Sequence, residues 1–80
     1  MFYYVTKYSF DPDKPVAGPF NTEEEAWAAM EASADEEYRV DAEENGWHAE
    51  IFKDKDVGEI TLIDYFTSGK EITEFFIIEI

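Results

Sequence analysis

The side chains of this sequence that could do chemistry are one histidine and many carboxylates. The chain has a single histidine, His48, together with 20 Asp and Glu residues and no cysteine. A hydrolytic triad needs a nucleophile, a base and a group that orients the base, and His48 has no evident serine partner. A strand histidine next to Trp47 is more often a packing or surface residue than a catalytic one. We therefore expect no catalytic residue, although paired carboxylates can in principle act as acid and base.

The segment Asp54-Lys55-Asp56-Val57-Gly58 has some features of a calcium-binding loop. Such loops alternate acidic residues and end in a Glu that binds the ion with both oxygens. Here Gly58 stands at the third acidic position, and no Glu follows at the required distance. A turn between two strands explains these residues equally well, with Gly58 at the position of positive φ. We expect no metal site and no cofactor.

A long helix is predicted over residues 22–46. Thr22 and Glu25 have the spacing of a capping box, in which each side chain satisfies a backbone N–H at the helix start. Asn45 and Gly46 are residues that tolerate the left-handed conformation at a helix end. The segment between them contains no Pro or Gly and is rich in Ala and Glu, which are good helix formers.

The apolar residues of this helix form one stripe at spacings of three and four, which is the period of a helix face. They are Trp27, Met30, Ala34 and Tyr38. The next position of the stripe is Asp41, which should not be buried without a partner. We therefore expect the packed part of the helix to end near Tyr38.

An acidic face occupies the other side of the helix, and the net charge of the whole chain is −14. The acidic face consists of Glu24, Glu31, Asp35, Glu36 and Glu43. Carboxylates along a rigid helix can imitate a row of phosphates and fill a basic groove. A solvated face that keeps the protein soluble is the simpler interpretation. The charge repels nucleic acid and anionic membranes, so the expected partners are proteins.

Four strands are predicted from alternating or continuous apolar patterns at residues 2–10, 47–53, 59–66 and 71–80. The two prolines of residues 11–15 end the first strand, and residues 16–21 are expected to form a connector. The sequence thus predicts one α+β domain over residues 1–80, with the order β-α-β-β-β. One long helix would pack on one face of a four-stranded, mostly antiparallel sheet. The pattern leaves open whether the first strand lies beside the second or the fourth.

One helix covers only one face of such a sheet, yet apolar side chains occur at both strand parities. The residues predicted for the uncovered face are Tyr3, Val5, Ile63, Tyr65, Phe75 and Ile77. Small domains rarely leave an apolar patch of this kind bare unless it binds something, although scattered surface tyrosines would need no such role. The last strand has only Glu74 and Glu79 as charges that discourage association, and it could also pair with another chain.

Two segments resemble a known group of proteins. These are GPFNTEEEA at residues 18–26 and EENGW at residues 43–47. They are similar to the helix start and helix end of small acidic uncharacterised proteins of gut Firmicutes and their mobile elements. The resemblance implies a bacterial, cytoplasmic protein and assigns no catalytic residue. The lack of cysteine and of a signal-peptide pattern at residues 1–5 is compatible with that compartment.

Three functions are compatible with these patterns. The first is a non-enzymatic interaction domain that binds a protein partner or forms a homodimer through the uncovered sheet face or the last strand. The second is an acidic mimic of nucleic acid that inhibits a DNA- or RNA-binding protein, as in phage or mobile-element inhibitors. The third is a small metal-binding or enzymatic domain.

Overall fold

The computed structural model describes residues 1–8 and 16–80, which form a five-stranded antiparallel sheet with an α-helix on one face. The elements in chain order are β1 (Phe2–Tyr8), β2 (Val16–Phe20), α1 (Glu23–Arg39), a π-helical turn (Val40–Glu44), β3 (His48–Asp54), β4 (Glu59–Phe66) and β5 (Gly69–Glu79). The strand order across the sheet is β2-β1-β5-β4-β3. The predicted α+β class is confirmed, but the predicted number of four strands is wrong because the sheet has five.

The additional strand is β2, in a segment for which the sequence predicts a connector. β2 pairs antiparallel with β1, so that Val5 faces Val16. Pro19 has no N–H to donate to a ladder, and a strand that contains it is tolerated at the edge of a sheet. This is where β2 lies. The predicted end of the first strand, at residues 9–15, lies outside the described residues.

The first strand lies beside the last, which answers the question that the pattern leaves open. β1 pairs antiparallel with residues 73–79 of β5, and β4 pairs with residues 69–76 on the other side of the same strand. β5 is therefore an inner strand whose backbone groups are largely used within the sheet. Within the described residues, residues 73–76 of β5 are paired on both sides, which leaves less free edge for the predicted association of the last strand with another chain.

The start of α1 follows the prediction. Thr22 Oγ1 accepts a hydrogen bond from the backbone N–H of Glu25 at 3.1 Å. The apolar stripe packs on the sheet and forms the core with three strand residues. The buried cluster is Trp27, Met30, Ala34, Ile60, Leu62 and Phe75. Tyr4, Tyr38, Ala49, Ile51 and Ile77 are partly buried against it. No helix in the described part of the chain is long and apolar enough to cross a membrane.

The end of the helix differs from the prediction. α1 ends at Arg39, and the chain continues as a π-helical turn in which the N–H of Asn45 donates to the carbonyl of Val40 at 2.9 Å. The N–H of Trp47 donates to the carbonyl of Asp41, also at 2.9 Å. Asp41 is 8% exposed, so packing continues past Tyr38 and the expected end of the packed helix is wrong. The reason is a carboxyl partner on the sheet, described below.

Candidate functional site

Four of the six residues predicted for the uncovered face lie on the side of the sheet away from α1. They are Tyr3, Val5, Ile63 and Tyr65. Ile63 and Tyr65 alternate along β4 with the buried Leu62 and Asp64, and Tyr3 and Val5 flank Tyr4, which packs against the core. Alternate residues of a strand point to opposite faces. Three of the four are half-buried, but Val5 is only 5% exposed and offers little surface to a partner.

The assignment of Phe75 and Ile77 to the uncovered face is wrong. Phe75 is 2% exposed within the core, and Ile77 packs against the same cluster. Pairing with β4 sets this orientation, because Phe75 faces the buried Ile60. β5 is apolar at both parities, so its pattern alone does not say which set is buried. The alternate set, with Phe76 and Ile78, belongs to the uncovered face.

The uncovered face holds two apolar clusters. The first cluster comprises Tyr3, Val5, Val16, Phe76 and Ile78, and the second comprises Phe52, Ile63, Tyr65 and Ile72. The ladder places Tyr3 opposite Ile78 and Ile63 opposite Ile72. A polar row of Lys7, Glu74 and Thr61 runs between the clusters, with Lys7 directly opposite Glu74. This row divides the apolar surface, and opposite charges in facing positions across strands favour the pairing of β1 with β5.

The charges on this face are more balanced than those of the whole chain. Within the described residues the face has four carboxylates, Glu50, Asp54, Glu59 and Glu74, against the ammonium groups of Lys7 and Lys70. Residues 22–46, by contrast, contain ten carboxylates and one Arg. The acidic excess of the protein is thus concentrated on the helix side. An approaching protein meets less repulsion at the uncovered face.

His48 and the acidic turn have structural surroundings. The His48 ring lies on the uncovered face, 5.2 Å from the ring of Tyr65 between centroids, and its Nε2 is 3.8 Å from Glu50 Oε1. In the turn after β3, Asp54 Oδ1 accepts the N–H of Val57 at 3.3 Å, and Gly58 has a φ of 77° as predicted. The Asp54 carboxylate therefore holds the turn.

Four of the five predicted acidic-face residues are engaged by cations. Lys53 Nζ on β3 lies 2.8 Å from Asp35 Oδ1 and 3.2 Å from Glu31 Oε2. The hydrogen bond from Lys53 to Asp35 raises the pKa of that lysine, although partial desolvation opposes the rise. One edge-strand lysine thus offsets part of the negative charge of the helix segment that contains Glu31 and Asp35.

Arg39 does the same near the end of α1. Its Nη2 lies 2.7 Å from Glu36 Oε1 and 3.0 Å from Glu44 Oε2, and its Nη1 is 3.9 Å from Glu43 Oε2. The hydrogen bond and charge of Arg39 hold the pKa of the Glu36 carboxyl below its usual value. Carboxylates gathered around two cations are less free to imitate a row of phosphates than the sequence alone suggests.

A buried carboxyl pair, Asp41 and Asp64, lies under the π-helical turn. Asp41 is 8% exposed and Asp64 on β4 is 4% exposed. Asp64 Oδ1 has no hydrogen-bond partner when neither carboxyl carries a proton, because two carboxylates can only accept. A single shared proton turns the contact into a hydrogen bond between the two side chains. Glu37 on α1 and Glu71 on β5 add two further negative charges nearby.

Burial and the neighbouring carboxylates raise the pKa of Asp64 to about 7. Burial is the first cause, because it penalises the charged form, and the hydrogen bond and charge of Asp41 come next. Burial also raises the pKa of Glu37, and the charge of Asp41 adds to that rise. The pair can therefore hold a proton near neutral pH. No group of three or more metal-ligating side chains occurs among the described residues.

Two positions in the sequence indicate this pair, which is not among the predicted site residues. Asp64 stands at the same parity as Ile60 and Leu62, which are the buried residues of β4. Asp41 stands at the next position of the helix stripe. Two acidic residues at core-facing positions of two elements that pack together would indicate a buried pair.

A shallow groove of about 660 Å³ lies at the start of α1. Its lining residues are Thr22, Glu23, Glu24, Trp27, Lys55, Asp56 and Ile77. The carboxyl pair does not line this groove. The groups with the strongest acid–base perturbation and the concave surface are thus in different places, whereas catalytic sites usually combine them.

Comparison with known proteins identifies no relative of this chain. No family model matches the chain, and neither a curated protein nor a solved structure is found to be similar to it.

Proposed function

We propose that this chain is a non-enzymatic protein-interaction domain whose docking surface is the uncovered face of the sheet. The observation that supports this most is the pair of apolar clusters on that face, opposite the face that α1 covers. Apolar patches of this kind on small domains are typically interaction sites. The proposal includes a bacterial, cytoplasmic setting, which follows from the resemblance of residues 18–26 and 43–47.

The distribution of charge supports a protein as the occupant. Nucleic acid and anionic membranes would be repelled by the net charge of −14. The uncovered face carries a smaller share of the acidic excess than the helix side, so a largely apolar protein surface meets less repulsion there. A second copy of the chain is the first partner to test, because self-association can be measured with the purified chain alone.

The alternative of an acidic inhibitor has less support. Glu31 and Asp35 are bound by Lys53, while Glu36 and Glu43 lie against Arg39. A basic groove would have to compete with these cations for the same carboxylates. A small metal-binding or enzymatic domain also has less support, because the groove and the carboxyl pair are apart.

The test is sedimentation of the wild-type chain, Phe76→Lys and Val57→Lys over a wide concentration range at moderate salt. Phe76 lies in the first cluster, whereas Val57 is 60% exposed in the turn after β3, so the two variants change the net charge equally. We expect Phe76→Lys to weaken self-association at least about tenfold more than Val57→Lys, because it places a charge in the apolar contact. A wild-type chain that stays monomeric at about 1 mM, where even weak contacts of about 4 kcal/mol would show, removes the self-association version.

A further inference from the structure

β3 is an open edge of the sheet. Within the described residues, no strand pairs with its outer side, and every residue from His48 to Asp54 has a partner in β4. The strand contains neither Pro nor Gly, so the backbone groups of alternate residues form a regular outward template for another strand. The opposite edge, β2, is poorly suited to this. It is short, contains Gly18 and Pro19, and has a shift in its register with β1.

Two large apolar side chains are exposed at this edge. Trp47, which precedes β3, is 40% exposed, and Phe52 on β3 is 52% exposed. Residues 47–58 carry three carboxylates and two lysines, so their net charge is small. Lys53 also offsets part of the charge of Glu31 and Asp35 on the helix side of the edge. Two copies can therefore approach here with little of the repulsion expected from the whole chain.

We propose that two copies of this chain pair antiparallel through β3, with the two-fold axis at Ile51. A two-fold axis through neighbouring antiparallel strands keeps every side chain on its own face, so the axis must pass through a residue position. In this register His48 of one copy faces Asp54 of the other, Glu50 faces Phe52, and Ala49 faces Lys53. No like charges stand opposite each other.

Antiparallel registers with the two-fold axis at residue 50 or 52 are less favourable, because they place like charges opposite each other. An axis at residue 50 sets Glu50 against its own copy, and an axis at residue 52 sets Glu50 against Asp54. Like charges directly opposite destabilise an antiparallel pair. The axis at Ile51 also brings the two Phe52 rings into diagonal positions, which aromatic side chains can span.

The resulting dimer has one continuous ten-stranded sheet, since each copy contributes five strands. Both helices lie on one side, and the two uncovered faces join into one surface on the other. The pairing does not rest on the proposed function, because it uses the backbone edge and not the apolar clusters. If the uncovered face is also a docking surface, this pairing doubles its area.

Single cysteines test the register, because the chain has none of its own. Directly opposed residues have Cα atoms about 4.5–5.5 Å apart, which is within the range of a disulfide. Under mild oxidation we expect Ile51→Cys to form a covalent dimer at least about tenfold faster than Ala49→Cys, whose copies would be about 13 Å apart along the strand. Faster cross-linking at residue 50 or 52 would overturn the register. Cross-linking at none of residues 49–53 would overturn the pairing.

Phe76→Cys separates this proposal from the proposed function. Residue 76 reports contact between two uncovered faces and is far from the β3 edge in strand order. Cross-linking at residue 76 without any at residue 51 would support face-to-face association and overturn the edge pairing. Cross-linking at residue 51 alone supports the edge pairing and gives no support to face-to-face contact centred on the first cluster.

A second measurement does not need a cysteine at the partly buried Ile51. Residue 52 faces Glu50 of the other copy, so Phe52→Lys should dimerise at least about tenfold more tightly than Phe52→Glu. Val57→Lys and Val57→Glu make the same charge changes outside the strand and measure the effect of net charge alone. An equal ratio of dimer Kd values at the two positions would overturn the pairing.

Discussion

Lys53 on the edge strand and Asp35 on the helix form an ion pair of 2.8 Å, and Glu31 adds a second carboxylate to the same ammonium group at 3.2 Å. This contact ties the acidic side of α1 to β3. It occurs in a chain with 20 acidic and six basic residues, where each cation offsets repulsion among several carboxylates.

Replacing Lys53 with Met is therefore expected to destabilise the domain. The side chains are partly exposed, so each pair contributes about 0.2–1 kcal/mol, and the loss should be of the order of 1 kcal/mol at low salt and smaller at high salt. Lys55→Met makes the same charge change two residues along, in the turn. Urea unfolding of both variants at two salt concentrations measures the difference. Equal losses for Lys53→Met and Lys55→Met would show that net charge, not this contact, is responsible.

The adjacent residues Phe75 and Phe76 test which face of β5 is buried. Phe75 is 2% exposed, so Phe75→Ala should cost about 3–5 kcal/mol through lost burial and a cavity. Phe76 is half-buried on the uncovered face, and Phe76→Ala should cost clearly less, about 1–2 kcal/mol. Chemical denaturation of the two variants measures both losses at constant net charge. The reverse order of stability would mean that the strand is turned over.

The Asp41–Asp64 pair makes stability depend on pH. The folded-state pKa of Asp64 is raised from 3.8 to about 7, so the native state binds a proton more tightly than the unfolded chain. The stabilisation is fully present below about pH 4, where both states are protonated. It is lost as the pH rises through about 7. At about 1.4 kcal/mol for each pKa unit, the change is a few kcal/mol.

Asp64→Asn isolates this effect. The variant cannot lose a proton at position 64, so its free energy of unfolding should change much less between pH 4 and pH 8 than that of the wild type. Asp56→Asn, in the exposed turn, removes a carboxyl elsewhere and should keep the wild-type slope. Unfolding curves at several pH values give the comparison. A slope in Asp64→Asn as steep as in the wild type would assign the pH dependence to other carboxyls.

Salt is expected to stabilise the domain as a whole. The net charge of −14 creates repulsion that added salt screens, while the two cation-centred contacts of Lys53 and Arg39 lose only part of their small contribution. The melting temperature should rise between about 10 mM and about 300 mM sodium chloride, where the Debye length falls from about 30 Å to below 8 Å. A melting temperature that falls over this range would mean that local ion pairs outweigh the overall repulsion.

Local patterns predicted much of the secondary structure. The capping signal at Thr22, the stripe of Trp27, Met30 and Ala34, and the bounds of β4 agree with the structure. The prediction also holds for positive φ at Gly46 and Gly58. Each of these features depends on interactions among residues a few positions apart, so the order of residue types is enough to indicate it.

The long-range relationships needed the folded chain. The sequence predicts a connector at residues 16–21, because Gly18 and Pro19 disfavour a strand unless it lies at an edge. The burial of Phe75 instead of Phe76 depends on the register with β4, because β5 is apolar at both parities. The carboxyl pair likewise depends on the π-helical turn, which places Asp41 against Asp64.

The sequence by itself determined a small acidic α+β domain with one amphipathic helix and apolar residues at both parities of its strands. Only the tertiary structure decided which strands are neighbours, which apolar residues stay uncovered, and that β3 is an open edge. The physical reason is that helix caps, turns and periodicity reflect local energetics. Strand order and facing depend on pairing between residues far apart in the chain, where several arrangements bury similar apolar area.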